Sequence, residues 1–160
     1  MRYSKQLIIA VIIAALGVGL LAKNKLPGQT LYAYKVNVNE PVRTFLQFTS
    51  VRKSMAEVAT VERRLTEVSQ LLVQNKIDEG TYETWKNSFI NSSNAVATRV
   101  LSILSGNSLK AYAAAVEEKG VLDGYTTALK TISIQNTKIR DKVLADIVAT
   151  GESHQHLITA

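Results

Sequence analysis

Hydrophobic and polar positions divide the chain into an opening apolar block and a long periodic body. Leu7 to Ala22 carry no charge. A run apolar on every face, directly behind a basic N-terminus, reads as a membrane or signal segment and not as a core helix. Further along, Met55, Val58, Val61, Leu65, Val68 and Leu72 recur at steps of three and four, the spacing of one apolar helix stripe. Ser54 and Glu57 open it as a capping box, and it should end near Gln74 to Lys76. Asp78-Glu79-Gly80-Thr81 supplies turn and capping residues.

A second stripe follows through Tyr82, Trp85, Phe89, Val96, Val100 and Ile103, with Ser92 or Ser93 at the missing step. Gly106 reads as a helix terminator, with Asn107 or Ser108 as the next cap. A short helix from Leu109 to Lys119 is expected to stop at Gly120. Asp123 would then cap a last helix carrying Tyr125, Leu129, Ile132, Ile139, Val143 and Ile147, closed by Gly151. Asn136 falls at the apolar step between Ile132 and Ile139. There an asparagine either fixes register, as in coiled coils, or merely edges the stripe, the commoner case.

The stretch Thr30 to Phe48 reads as helix, bent near Pro41, because a proline disfavours helix at the preceding Glu40. Tyr34, Val36 and Val38 alternate only briefly, too little for a strand. The expected fold is all-α. It comprises an N-terminal transmembrane or signal helix (1–25), an antiparallel bundle of about four helices (26–151) and a disordered tail (152–160).

The apolar block, with Leu7, Ile13, Leu16 and Leu21 at its heart, would extend about 24 Å as a helix, against a hydrocarbon core of about 30 Å. Lys5 and Lys23 can snorkel and lengthen its span. A cut after Ala22 would place the large Leu20 where signal peptidase wants a small residue, and the smaller Gly17-Val18-Gly19 would leave a short apolar core. An uncleaved anchor is therefore favoured over a cleaved signal. Arg2 and Lys5 on one flank balance Lys23 and Lys25 on the other. A tail this short is easily kept inside, so the expected location is the bacterial cell membrane, single-pass, with the body outside the cytoplasm. Secretion after cleavage is the alternative. The glycines Gly17 and Gly19 do not form a GxxxG pairing motif.

Charge changes the picture only after it is divided. The net charge is +6, from 19 basic and 13 acidic residues. Four of the basic residues lie in positions 1–25, which hold no acid, so the body stands at fifteen against thirteen. That is an ordinary solvated surface, and nucleic acid is not an expected partner. The chain contains no cysteine, which excludes a disulfide scaffold, a lipid-modified cysteine, a thiolate nucleophile and cysteine metal sites.

Pro27-Gly28-x-x-Leu31-Tyr32-x-x-Lys35 lies just behind the apolar block, and Glu62-Arg63-Arg64-Leu65-Thr66-Glu67 sits within the next helix. In order and spacing these two patterns resemble a bacterial family of membrane-anchored helical domains of unknown function. Thr60-Val61 departs from that family's Ala-Glu-Arg-Arg-Leu-x-Glu-like stretch. The resemblance covers roughly Leu26 to Val100. It implies an extracytoplasmic helical domain, in some cases encoded alongside signalling components, and brings no catalytic residues.

Read physically, Pro27-Gly28 makes a turn and Thr30 can cap a helix beginning at Leu31. Tyr32 and Lys35, or Leu31 and Tyr34, share faces at helical spacing. Packing is the expected role for these four. Membrane contact, with Tyr32 and Tyr34 among lipid headgroups, or partner binding is the alternative. Arg63 and Arg64 with Glu62 and Glu67 read as surface pairing. Tyr82, Trp85 and Phe89 form an aromatic stripe that reads as core before pocket.

Reactive constellations are scarce. His154 and His156 lack a third and fourth ligand for a metal. The acidic pairs Asp78-Glu79 and Glu117-Glu118 look like caps and surface charge, and no glycine-rich phosphate loop occurs. The expectation is a non-enzymatic, cofactor-free domain, tethered by its N-terminal helix. It would act through an unknown protein partner or self-association, or as an envelope structural element. The alternative is an extracytoplasmic sensor or small-ligand-binding bundle, with the Trp85 face lining its pocket.

Overall fold

The computed structural model describes residues 17–104, 106 and 108–159, and every regular element among them is helical. The first ten residues of the apolar block, with Leu7, Ile13 and Leu16, lie outside them. So does Asn107. Among the described residues no helix is long and apolar enough to cross a membrane. Residues 17–22, including Leu21, form a helix here called α1.

The entry arm follows: α2 (Tyr32–Tyr34), a π-helical turn (Lys35–Asn39) and α3 (Glu40–Phe45). Four long helices then build the bundle: α4 (Ser50–Val73), α5 (Glu79–Leu104), α6 (Ser108–Thr131) and α7 (Thr137–His154). A short α8 (His156–Thr159) ends the described chain. Short connections make successive long helices antiparallel neighbours. Helices α4, α5 and α6 pack on one another, and α7 lies against α5 and α6.

The arm replaces the expected bend with a wider turn. Proline has no N–H to donate, and in a regular helix the Pro41 ring would meet the carbonyl of Asn37. The π spacing ends directly before Pro41, with the Glu40 N–H reaching the Lys35 carbonyl. Leu31 does not open a helix. It takes a left-handed conformation (φ 70°), and the arm makes no side-chain cap there.

Both long stripes hold, with local corrections. Val58, Val61, Leu65, Val68 and Leu72 are buried together with Trp85, Phe89, Val96 and Val100. Met55 lies at 38% exposure, off the buried face, and the cap of α4 falls five residues earlier than the capping-box pattern suggests. Thr49 is the cap, its hydroxyl accepting the Arg52 N–H at 3.2 Å. Ser54 instead donates to the Val51 carbonyl inside the helix. Asp78 caps α5 by accepting the Thr81 N–H at 2.7 Å, and this bond to its charged form holds its carboxyl below the ordinary range.

The C-terminal half departs most. Helix α6 runs straight through Gly120 and Gly124 to Thr131. Each glycine costs a helix about 1 kcal/mol relative to alanine, but Ala111, Ala114, Ala115, Leu122 and Leu129 are all buried on this helix, and that packing outweighs the cost. The break falls at 132–136. Asn136 is neither a register residue nor a stripe edge: its side chain caps α7, accepting the Ile139 N–H at 3.2 Å and donating to the Ile77 carbonyl at 3.3 Å. Gly151 lies within α7, and residues 152–159 are helical except Gln155. Leu157 is buried against the core, so this stretch is not the disordered tail expected.

Candidate functional site

The two short patterns of the sequence meet in space. The arm delivers Tyr32, Lys35 and Glu40 onto the middle of α4, where Arg63, Arg64 and Glu67 stand, with Ser88 of α5 beneath. Arg64 is fully buried. Its guanidinium takes Glu67 with two bonds, 2.9 and 2.7 Å, and also binds Glu40. Lys35 pairs with the same Glu67 and donates to the Lys25 carbonyl at 2.8 Å. The Tyr32 hydroxyl donates to Glu67 at 3.1 Å and shares a 2.9 Å bond with Ser88. Arg63 closes the rim on Glu40 at 2.9 Å.

This ionic clasp corrects the reading of Arg63-Arg64 and Glu67 as surface pairing. Three cations meet two carboxylates in a nearly dry site. Burial works against the charged Arg64, but Glu67, Tyr32 and Glu40 outweigh it and hold its pKa above the ordinary value. Burial is also the main force raising Tyr32, with Arg64 opposing and Glu67 reinforcing. The Arg64 carbonyl accepts the Trp85 indole N–H at 2.8 Å. The clasp is thus joined to the aromatic core beneath it.

The helical face Ser54, Glu57, Arg64, Glu67, Leu71 is buried beside the apolar stripe. Its steps of three, seven, three and four were a usable signal. Counting only apolar residues concealed it. Glu57 is met from α5 by Arg99 at 3.0 Å.

Of the singled-out residues, Tyr32 and Lys35 are buried in the clasp, while Leu31 and Tyr34 are half-buried. Tyr82, Trp85 and Phe89 belong to the core. Trp85 stacks on Phe89 at 5.1 Å and tilts against Tyr82 at 6.1 Å. Tyr82 also donates to Asp146 at 2.6 Å, and burial followed by this carboxylate pushes its pKa up to about 12.

Two open grooves flank the arm instead. The larger, about 960 Å³, lies between residues 19–26, the arm and α4. Leu20, Leu26, Val38 and Val42 line it, with Lys23 and Arg43 at its edge. The smaller, about 470 Å³, lies on the other side of the arm against α4 and α5. Neither is lined by the aromatic trio. Lys23 and Arg43 make no ion pair among the described residues, while the groove's carboxylates Glu40 and Glu67 are held by the clasp.

Elsewhere, Glu118 is buried and meets His154 at 3.2 Å, so it is not the surface charge expected of it. His156 bonds the Ser153 carbonyl. Among the described residues no group of three or more His, Cys, Asp or Glu could hold a metal ion. No family model, no curated protein and no solved structure matches the chain.

Proposed function

We propose that this chain is a membrane-tethered helical domain, outside the cytoplasm, that works by non-covalent contact and carries out no chemistry. The supporting observation is the clasp. It spends the best-placed charged groups on fixing the arm to the bundle, and with it the chain that leads back to the apolar block. Buried ion pairs add little net stability, because desolvation offsets their attraction. They do define one geometry, and a rigid link between anchor and body suits a domain that presents surfaces. The resemblance of the two patterns to membrane-anchored helical domains agrees with this reading, since those patterns supply Tyr32, Lys35, Arg63, Arg64 and Glu67 of the clasp.

Fractionation of cells expressing the full chain tests it. The protein should remain in the membrane fraction after a high-salt wash, and crosslinking should capture a defined partner or a second copy. N-terminal sequencing separates an anchor, starting at Met1 or Arg2, from a released form starting near Leu20. Recovery as a cytoplasmic monomer would end the proposal.

The larger groove favours a second reading, the binding of a small amphiphile. Its volume is that of a ligand site, its wall is mainly apolar, and Lys23 and Arg43 offer cations to an anionic head. Saturable binding of a fatty acid, lost in Val42→Asp, would support it. Tryptophan fluorescence would be a poor reporter, because Trp85 is fully buried and does not itself line the groove.

A further inference from the structure

Charge and apolar exposure are sorted toward one end of the bundle. This end is where α3 turns into α4 and where α5 passes to α6. Residues 41–56 contain no Asp or Glu, and neither do residues 84–116. The first stretch holds Arg43, Arg52 and Lys53, none in an ion pair among the described residues. The same end exposes large apolar side chains: Phe48 at 92%, Phe45 at 79%, Leu46 at 60%, and Leu109 at 76%. The opposite end, around the α4–α5 and α6–α7 turns, is mixed: Asp78, Glu79, Glu83 and Asp141 stand among Lys76, Lys130, Lys138, Arg140 and Lys142. What sets the first end apart is exposed apolar surface beside cations with no acid in the same stretch.

The backbone of this tip is held, not loose. The Leu46 and Gln47 N–H groups bond back to Val42 and Thr44, and the Gln47 side chain bonds the Arg43 carbonyl. Lys53 stands 5.9 Å from the Phe45 ring centre. The carboxylates that share the adjoining groove with Phe45, Glu40 and Glu57, are held by Arg63, Arg64 and Arg99. Phenylalanines projecting from an ordered turn, with unpaired cations close by in the chain, complement an anionic bilayer: apolar groups enter the acyl boundary and cations meet the headgroups.

Chain direction places the same end toward the apolar block. Lys35 bonds the Lys25 carbonyl, and Asn39 bonds the Gly19 carbonyl at 2.8 Å. Residues 25 to 19 thus run antiparallel to the arm. The chain enters at Gly17 from the side on which the arm continues to Arg43 and Phe45.

We propose that this end, with Phe45, Leu46 and Phe48 inside a collar of Arg43, Arg52 and Lys53, seats on an anionic phospholipid surface and sets the orientation of the bundle on the membrane. The inference rests on the reading that the chain is held at a membrane. It adds a second, peripheral contact that is sensitive to salt.

Because the native chain has no cysteine, one polarity-sensitive fluorophore can be placed at will. Full-length chain carrying Phe48→Cys, or Ser133→Cys at the opposite end, is labelled and reconstituted with vesicles of phosphatidylcholine, with or without phosphatidylglycerol. The Phe48 probe should shift to the blue and be quenched by bromolipid only in phosphatidylglycerol vesicles, while the Ser133 probe stays in water. Each cation near an anionic surface changes partitioning about fivefold. Arg43→Gln, Arg52→Gln and Lys53→Gln together should therefore weaken seating roughly a hundredfold, and molar salt should abolish it. These positions lie outside the core, so unchanged circular dichroism checks that the triple variant is folded.

A chain that floats with vesicles in high salt, yet keeps the Phe48 probe in water with phosphatidylglycerol, overturns this inference and leaves the anchor standing. Loss of flotation in high salt, with the probe still buried at low salt, overturns the anchor and supports the peripheral surface. A probe buried only when native membrane proteins are present points to a protein partner and overturns the lipid assignment.

Discussion

The hydroxyl of Tyr32 donates to the carboxylate of Glu67, thirty-five residues away, at 3.1 Å. This bond joins the turn behind the apolar block to the middle of the longest buried ionic network among the described residues. Glu67 is the hub, since Arg64, Lys35 and Tyr32 all converge on it.

Removing the hub should therefore cost more than removing a spoke. Glu67→Gln leaves two buried cations short of a partner, and urea unfolding followed by circular dichroism should show a loss of about 3–5 kcal/mol. Tyr32→Phe should cost about 1 kcal/mol. Arg64→Met combined with Glu67→Leu should be less damaging than the sum of the single changes, because no lone charge stays buried. Additive losses would mean that the pair is not coupled.

Gly28 marks a close approach. Its φ is +82°, and a Cβ there would lie 2.8 Å from the Thr81 hydroxyl oxygen at the start of α5. Gly28→Ala pays about 1–2 kcal/mol for the left-handed backbone and adds the overlap with Thr81. Thermal unfolding should show partial recovery in Gly28→Ala with Thr81→Ala, which removes the overlap and keeps the strain. Full recovery would contradict the backbone assignment.

Asn136 should behave as a cap. Asn136→Ala should lower stability by about 1 kcal/mol, with no change in molecular mass by light scattering. A change of oligomeric state would restore the register role. In the same C-terminal region, Leu157→Ala should cost about 2 kcal/mol or more as a core truncation, whereas a disordered tail would show nothing.

Alkaline pH should unfold the protein through its buried tyrosines. In the unfolded chain Tyr82 ionises near its ordinary 10.0, but in the fold it stays protonated to about 12. Stability from this group is complete below pH 10 and is lost as pH rises from there toward 12. Tyr32, raised as well, acts in the same direction. Tyrosinate absorbance should rise late and together with loss of helix, and Tyr82→Phe should remove part of that pH dependence.

Period and end signals made the two central helices legible. The stripe from Val58 to Leu72 and the stripe from Tyr82 to Ile103 needed only their own spacing, and Asp78 sits where a cap belongs. The C-terminal half was misread for a reason of the same kind. Gly120 and Gly124 are locally good stop signals, but what continues α6 is burial of Ala111, Ala115 and Leu129 against other helices. Propensity is a weak term beside packing.

By itself, the sequence determined that the protein is helical, that its opening block is apolar, and that its body is neither strongly basic nor cysteine-linked. These are properties of periodicity and composition, which act along the chain. Tertiary structure alone decided that Tyr32 and Lys35 belong with Arg64 and Glu67, that Asn136 is a cap, and that one end is apolar and basic. Each of these depends on which distant groups share a desolvated space, and a buried charge becomes meaningful only when its partner is brought to it.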